Sequence, residues 1–370
     1  MKRRLLSGLN IICTMGMLMA CSNADAAKPA SEPAGTTAAA APSETAARTE
    51  TSASVPAEST TVELGNATAD TAVSMGYSGD LSKLPTFPYD TAEKKEYNVY
   101  EEVSVKTSSF DQMEKYDEAN ALILTFRENS VDITTGADVT DEEKETYISS
   151  VITMEGSRIL ITAPGTYILR GSLSDGQIRF RGNAEDKVQF VLDGVDLHCE
   201  SSAPIYIENG DKALVTLAPD SSNTLSDAAN AEEATKGCLY SEIDLSINGS
   251  GSLNISALHN NGISCRDDLK ILNGDITISA ENNAIKGNDS VSVFGGTLML
   301  RCKNDGIKSD KEDDPEKGFL YLHKGDITIH ADDDGLQAVT AVVIKENCVT
   351  DIQCYDDRIN CDGIIVTPEN

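Results

Sequence analysis

The chain has 370 residues, with 60 acidic against 30 basic side chains and a formal net charge of −30. Such a field repels nucleic acid and anionic membrane surfaces, and no basic patch in the sequence compensates it. Tryptophan is absent and aromatics are 5% of the chain, so a broad aromatic platform is hard to build, although some of the tyrosines can still stack on sugars.

The chain opens with Lys2-Arg3-Arg4 and a mostly apolar run from Leu5 to Ala20, closing on Leu18-Met19-Ala20-Cys21. This resembles a bacterial lipoprotein signal with its lipobox, which makes 1–21 a signal peptide and Cys21 the lipidated first residue of the mature chain. No other apolar run is long enough to span a bilayer, so the expected location is extracellular, held to the bacterial cell membrane only through that lipid. Residues 22–96 are rich in Ala, Thr, Ser, Glu and Pro. A segment with so few large apolar side chains cannot offset its chain entropy and reads as a disordered linker.

From 97 to 370 the pattern changes to a repeat. Asn260-Asn261-Gly262-Ile263 is followed by Asn282-Asn283-Ala284-Ile285, Asn304-Asp305-Gly306-Ile307 and Asp333-Asp334-Gly335-Leu336. A second marker keeps step: Gly274-Asp275-Ile276, Gly296-Thr297-Leu298 and Gly325-Asp326-Ile327. Two markers with one period of about 22 residues indicate stacked units. Apolar residues alternate between the turns, as in Ile276 and Ile278 or Leu298 and Leu300, which is the strand signature. The fold class expected is therefore all-β, a parallel β-helix, with residues one repeat apart becoming neighbours at about 4.8 Å. Polar stretches at 228–236 and 311–317 interrupt the period.

Stacking concentrates chemistry at the turns. Asn261, Asn283, Asp305 and Asp334 share one position, and Asn260, Asn282, Asn304 and Asp333 the one before it, with Asp357 one coil further and Asp310 close in sequence. Like charges at such spacing are costly unless a cation lies between them. Calcium takes six to eight oxygens from carboxylates, amides and water and is the expected cofactor. A plainer reading stands beside it: Asn and Asp before Gly suit tight turns, because they tolerate left-handed backbone and bond it locally.

Lys286 and Lys308 share a register, each one residue after the turn isoleucine. Beside calcium, such a lysine can abstract the proton α to a uronate carboxylate; otherwise both simply relieve the acidic stack. Cys265, Cys302 and Cys354 fall on the inward side of the alternation and read as core residues, and the odd cysteine count argues against a disulfide framework.

Several stretches resemble a bacterial extracellular family of carbohydrate-binding domain-containing proteins. They include Ile161-Thr162-Ala163-Pro164-Gly165-Thr166-Tyr167-Ile168-Leu169, Gly171-Ser172-Leu173-Ser174-Asp175, Asn223-Thr224-Leu225-Ser226-Asp227 and Asn304-Asp305-Gly306-Ile307-Lys308-Ser309-Asp310. The resemblance implies a right-handed β-helix shaped like the calcium-dependent pectate lyases. It also implies calcium on Asp305, Asp310, Asp333 and Asp334, and binding of plant cell-wall polysaccharide such as polygalacturonate or cellulose. Where the family often has Asp this chain has Asn283. The function expected is calcium-dependent polysaccharide binding at the cell surface. A calcium-dependent polyuronate lyase using Lys308 or Lys286 is the enzymatic alternative, and a structural spacer or adhesin the third.

Overall fold

The computed structural model describes residues 60–63, 94–128, 130–231 and 235–368. The expected signal peptide 1–21, Cys21 and most of the expected linker lie outside the described residues. Thr60–Glu63, inside the linker span, is a strand that pairs antiparallel with Ser130–Thr135. That corrects the linker expectation at this point: the β-branched run Thr60-Thr61-Val62 suits a strand, and the far edge of Ser130–Thr135 offers it unpaired backbone groups.

The chain is all-β apart from short helical segments, and its strands run mainly parallel. They form three ladders. The first joins Ala121–Arg127 through Lys212–Leu217, Asp244–Gly249, Asp268–Ile271 and Ser290–Val293 to Phe319–Ala331. The second runs through Ser222–Asp227, Ser252–Ala257, Asp275–Ala280 and Thr297–Cys302. The third runs from Arg158–Ile161 through Asn261–Cys265, Ile285–Gly287, Ile307–Ser309 and Leu336–Ala338 to Ile359–Cys361.

The first two ladders form one sheet, because Lys187–Cys199 and Phe319–Ala331 each bend from one into the other. The bend is made with glycine: Gly274, Gly296 and Gly325 have φ of 127°, 91° and 137°, a region L side chains rarely adopt. This is the physical content of the second sequence marker. The repeat step is also visible in the bonding between coils, with separations of 22 residues at Asn283 and Asp305, 29 at Asp334 and 23 at Asp357.

Alternation puts Ile276, Leu298 and Ile327 in one inward row, with Ile278, Leu300 and Ile329 beside it. Both rows are buried in a core that runs through all three ladders. Cys265 and Cys302 are buried in it as free thiols and Cys354 packs half-buried against it. The helix Asp141–Val151 contributes Tyr147, Ile148 and Val151 to the same core. It starts where Thr140 and Glu143 form a reciprocal capping box. No helix among the described residues is long and apolar enough to cross a membrane.

After Thr60–Glu63 the described residues resume at Lys94, inside the span expected to be linker. Lys94–Tyr100 and Val103–Ser108 form an antiparallel hairpin. Its Val99 and Val105 pack on Phe319, Tyr321, Ala341 and Val343, on the outer side of the first ladder. Part of a face that alternation marks as solvent-facing is therefore covered.

Candidate functional site

The turn motifs stack at the corner where the second ladder passes into the third. Their small third residue is required by packing. A Cβ on Gly262, Gly306 or Gly335 would meet a Cγ2 of Ile278, Ile329 or Ile352 at 2.3, 2.4 and 2.3 Å respectively. In the remaining coil the position is Ala284, fully buried.

The residue before it does something other than the left-handed turn role. Neither Asn261, Asn283, Asp305 nor Asp334 has a positive φ. All four are buried, and each side chain bonds the coil that follows. Asn261 Oδ1 accepts from Asn283 N–H at 3.1 Å, Asn283 Oδ1 from Asp305 N–H at 3.1 Å, Asp305 Oδ1 from Asp334 N–H at 3.3 Å, and Asp334 Oδ1 from Asp357 N–H at 3.0 Å. A parallel row links Asn304 to Asn282 and Asn282 to Asn260 through side-chain amides at 3.1 and 3.0 Å. The first row satisfies backbone N–H groups that would otherwise be buried unpaired at the corner.

The ladder changes character at Asp305. Asn283 uses its amide fully: Nδ2 donates to Asn261 Oδ1, while Oδ1 accepts from Asp305 N–H and from Asn304 Nδ2. Asp305 and Asp334 have no donor, so a second carboxylate oxygen is left facing outward. The outward oxygen of Asp305 accepts from Lys308 Nζ at 2.8 Å, and that of Asp334 from Asn360 Nδ2 at 2.7 Å. Half-exposed Asp333 stands beside them, and one carboxylate oxygen from each of Asp305, Asp333 and Asp334 lies within 4.8 Å of the others. Partial desolvation, then the carboxylates of Asp305, Asp334 and Asp356, raise the Asp333 carboxyl above its ordinary range.

Oxygens facing each other across an ion bound at about 2.3–2.6 Å stand about 4.6–5.2 Å apart. The three oxygens of the triad lie within that span, so these are the residues that would hold a hard, calcium-type cation. Asp305, Asp333 and Asp334 are the expected metal residues that the fold gathers. Asp310 is not in the group: it follows the far end of Ile307–Ser309 and accepts from Lys286 Nζ at 2.5 Å. Asn283 and Asn304 are spent on the amide ladders. The exposed Asp357 contributes its backbone N–H to Asp334, and its carboxylate lies outside the triad. Lys308 and Lys286 are each held in an ion pair with an aspartate.

Turn residues upstream escape the sequence period because the coils there vary in length. Asp227 Oδ1 accepts from the backbone of Leu258 and His259 at 2.6 and 3.1 Å, and Asp175 Oδ1 from Glu200 N–H at 3.0 Å. Their shared signal is the Leu-Ser-Asp ending of two strands, at 173–175 and 225–227. Tyr206 and Tyr240 also stack in successive coils, with centroids 5.2 Å apart and planes at 14°. The Arg179 guanidinium lies 5.0 Å over the Tyr206 ring. One face of each ring is used on the other, and Tyr206 also carries the Arg179 contact.

Mainly parallel ladders with an acidic corner define an all-β protein. The chain belongs to the carbohydrate-binding domain-containing protein family, whose model matches residues 155–362. A carbohydrate-binding domain-containing protein of Acetivibrio thermocellus is 44% identical over 213 residues, covering 56% of this chain and 74% of that protein. A solved structure described as the polysaccharide lyase-like protein from C. thermocellum, in a gadolinium derivative, is 32% identical. It has a TM-score of 0.61, with 67% of this chain and 97% of that chain covered.

Proposed function

We propose that the protein is a polysaccharide-binding module built on a right-handed parallel β-helix, with a calcium ion on Asp305, Asp333 and Asp334. The observation that carries this reading is the carboxylate triad, two of whose members are buried within the coil-to-coil ladder. The ion would neutralise the acidic corner and bridge it to a uronate carboxylate, which is how a chain of charge −30 can hold a polyanion such as polygalacturonate. The family membership and the lyase-like neighbour support a polysaccharide as the partner. The lipobox at Cys21 supports display on the cell surface, with the linker as spacer.

Calorimetric titration tests the reading: calcium first, then oligogalacturonate with calcium and with chelator. Sugar heat that calcium adds over the chelator titration, and that disappears in Asp305→Asn, is the expected result. Calcium binding without sugar binding favours the spacer role, and absence of calcium binding sinks the metal site.

A second reading has its own observation, the polysaccharide lyase-like neighbour. Lyase action would release unsaturated uronides with their characteristic ultraviolet absorbance. Its loss in Lys308→Ala or Lys286→Ala would make that lysine the base.

A further inference from the structure

A second polar site lies on the outer face of the first ladder, under the N-terminal hairpin. The hairpin roofs the outer face of the first ladder and leaves a cavity of about 340 Å³, at the lower end of the range for small-molecule sites. Lys270 projects into it from Asp268–Ile271. The residue is only 3% exposed, yet its ammonium makes no hydrogen bond. The nearest carboxylate oxygens, on Asp268 and Asp244, lie at 3.7 and 3.9 Å. Burying an ammonium without hydrogen bonds is costly. Beside it in register, the Ser292 hydroxyl is fully buried and also lacks a partner.

Two of the charged groups at the cavity are held elsewhere. Asp111 Oδ1 accepts from Lys212 at 3.1 Å and from the Ser246 hydroxyl at 2.7 Å, and Lys317 is held by Asp289 at 2.6 Å. Lys270 is the buried ammonium at the cavity that has only long ion pairs. Five lysines and four carboxylates line the cavity, a surplus of one positive charge inside a strongly anionic protein. Such a balance admits a monoanion and disfavours phosphate, whose second charge would face Asp244 and Asp268. The same two carboxylates accept well from hydroxyl groups, and Val105 and Phe319 supply an apolar wall.

We infer that this cavity binds one hexuronate unit, its carboxylate on Lys270 and its hydroxyls on Asp244 and Asp268, without calcium. The inference does not depend on the metal triad. A free sugar acid and the end unit of a uronate chain share this chemistry.

The test is titration of the full chain, in chelator, with galacturonate and glucuronate, each against its neutral hexose, then with trigalacturonate and inorganic phosphate. The expected result is binding of a uronate but not of its hexose, weakened at least tenfold in Lys270→Met. Trigalacturonate binding as well as the monomer assigns the site to chain ends, and monomer binding alone assigns it to free sugar acids. Amine-reactive labelling of Lys270 in the unaltered chain, slowed by the uronate, gives a readout that does not depend on the variant folding. Uronate heats equal to those of the hexose, unchanged labelling of Lys270, or tighter binding of phosphate would each overturn the inference. Because chelator is present throughout, failure here leaves the calcium reading untouched, and the converse also holds.

Discussion

The coils carrying Asn261 and Asn283 and those carrying Asp305 and Asp334 share one backbone geometry and differ in one atom per ladder residue. An amide offers a donor and an acceptor, so Asn283 bonds both the coil before it and the coil after it. A carboxylate offers acceptors only, so Asp305 keeps the bond to the next coil and turns a negative oxygen outward, onto Lys308. Asparagine leaves the corner neutral, whereas aspartate leaves it negatively charged. Both kinds of coil keep the same path of the chain.

What the two sets of coils share should fail equally. Ile278→Ala and Ile329→Ala each remove a fully buried side chain that packs against a turn glycine. Each should cost about 2–5 kcal/mol by denaturant unfolding, with little difference between them. A large gap would mean that the coils are not equivalent.

What they do not share should separate under calcium. With calcium at about a hundred times its dissociation constant, the unaltered chain gains about 2.7 kcal/mol, read as a rise in Tm that chelator reverses. Asp305→Asn and Asp334→Asn should abolish that rise. Asn283→Asp, which extends the acidic row by one coil, should enlarge it. A calcium response unchanged in all three would end the distinction drawn here.

Removing a neutral rung sharpens the same contrast. Asn283→Ala strands the N–H of Asp305 and removes one of the two acceptors of the Asn304 amide, at about 1–3 kcal/mol, and the loss should be the same with calcium or chelator.

The smallest effect concerns a carboxylate used as a rung without a cation. Burial raises the Asp227 carboxyl, against hydrogen bonds from Leu258 and His259 that lower it. A raised folded pKa favours folding below the ordinary value of 3.8, and that advantage is lost as pH rises through the folded value. Asp227→Asn should accordingly be slightly more stable than the unaltered chain at pH 7, and the difference should vanish in acid. Destabilisation at pH 7 would show that the charge itself is needed.

The repeat was legible because two turn markers recur through 260–336 and alternation sorts inward from outward residues. It also placed Asp305, Asp333 and Asp334 together. It could not separate Asp310 from them, since closeness in sequence hides the fact that a strand of three residues puts Asp310 at its other end. Nor did it mark the Lys270 cavity. In Leu269-Lys270-Ile271 the alternation correctly points the lysine outward, but the hairpin that roofs it comes from residues 94–108, with no repeat relation to it. The early coils stayed unread because their lengths vary, so Asp175 and Asp227 share a role without sharing a step.

The corner ladder also has a direction. From Asn261 to Asp357, each side-chain acceptor belongs to the earlier coil and each backbone donor to the later one. Chains are made from the N-terminus, so every acceptor exists before the donor that will find it. A growing chain thus carries each side-chain acceptor ahead of the coil that uses it. Reversing the order of two coils would leave the composition unchanged and break that order.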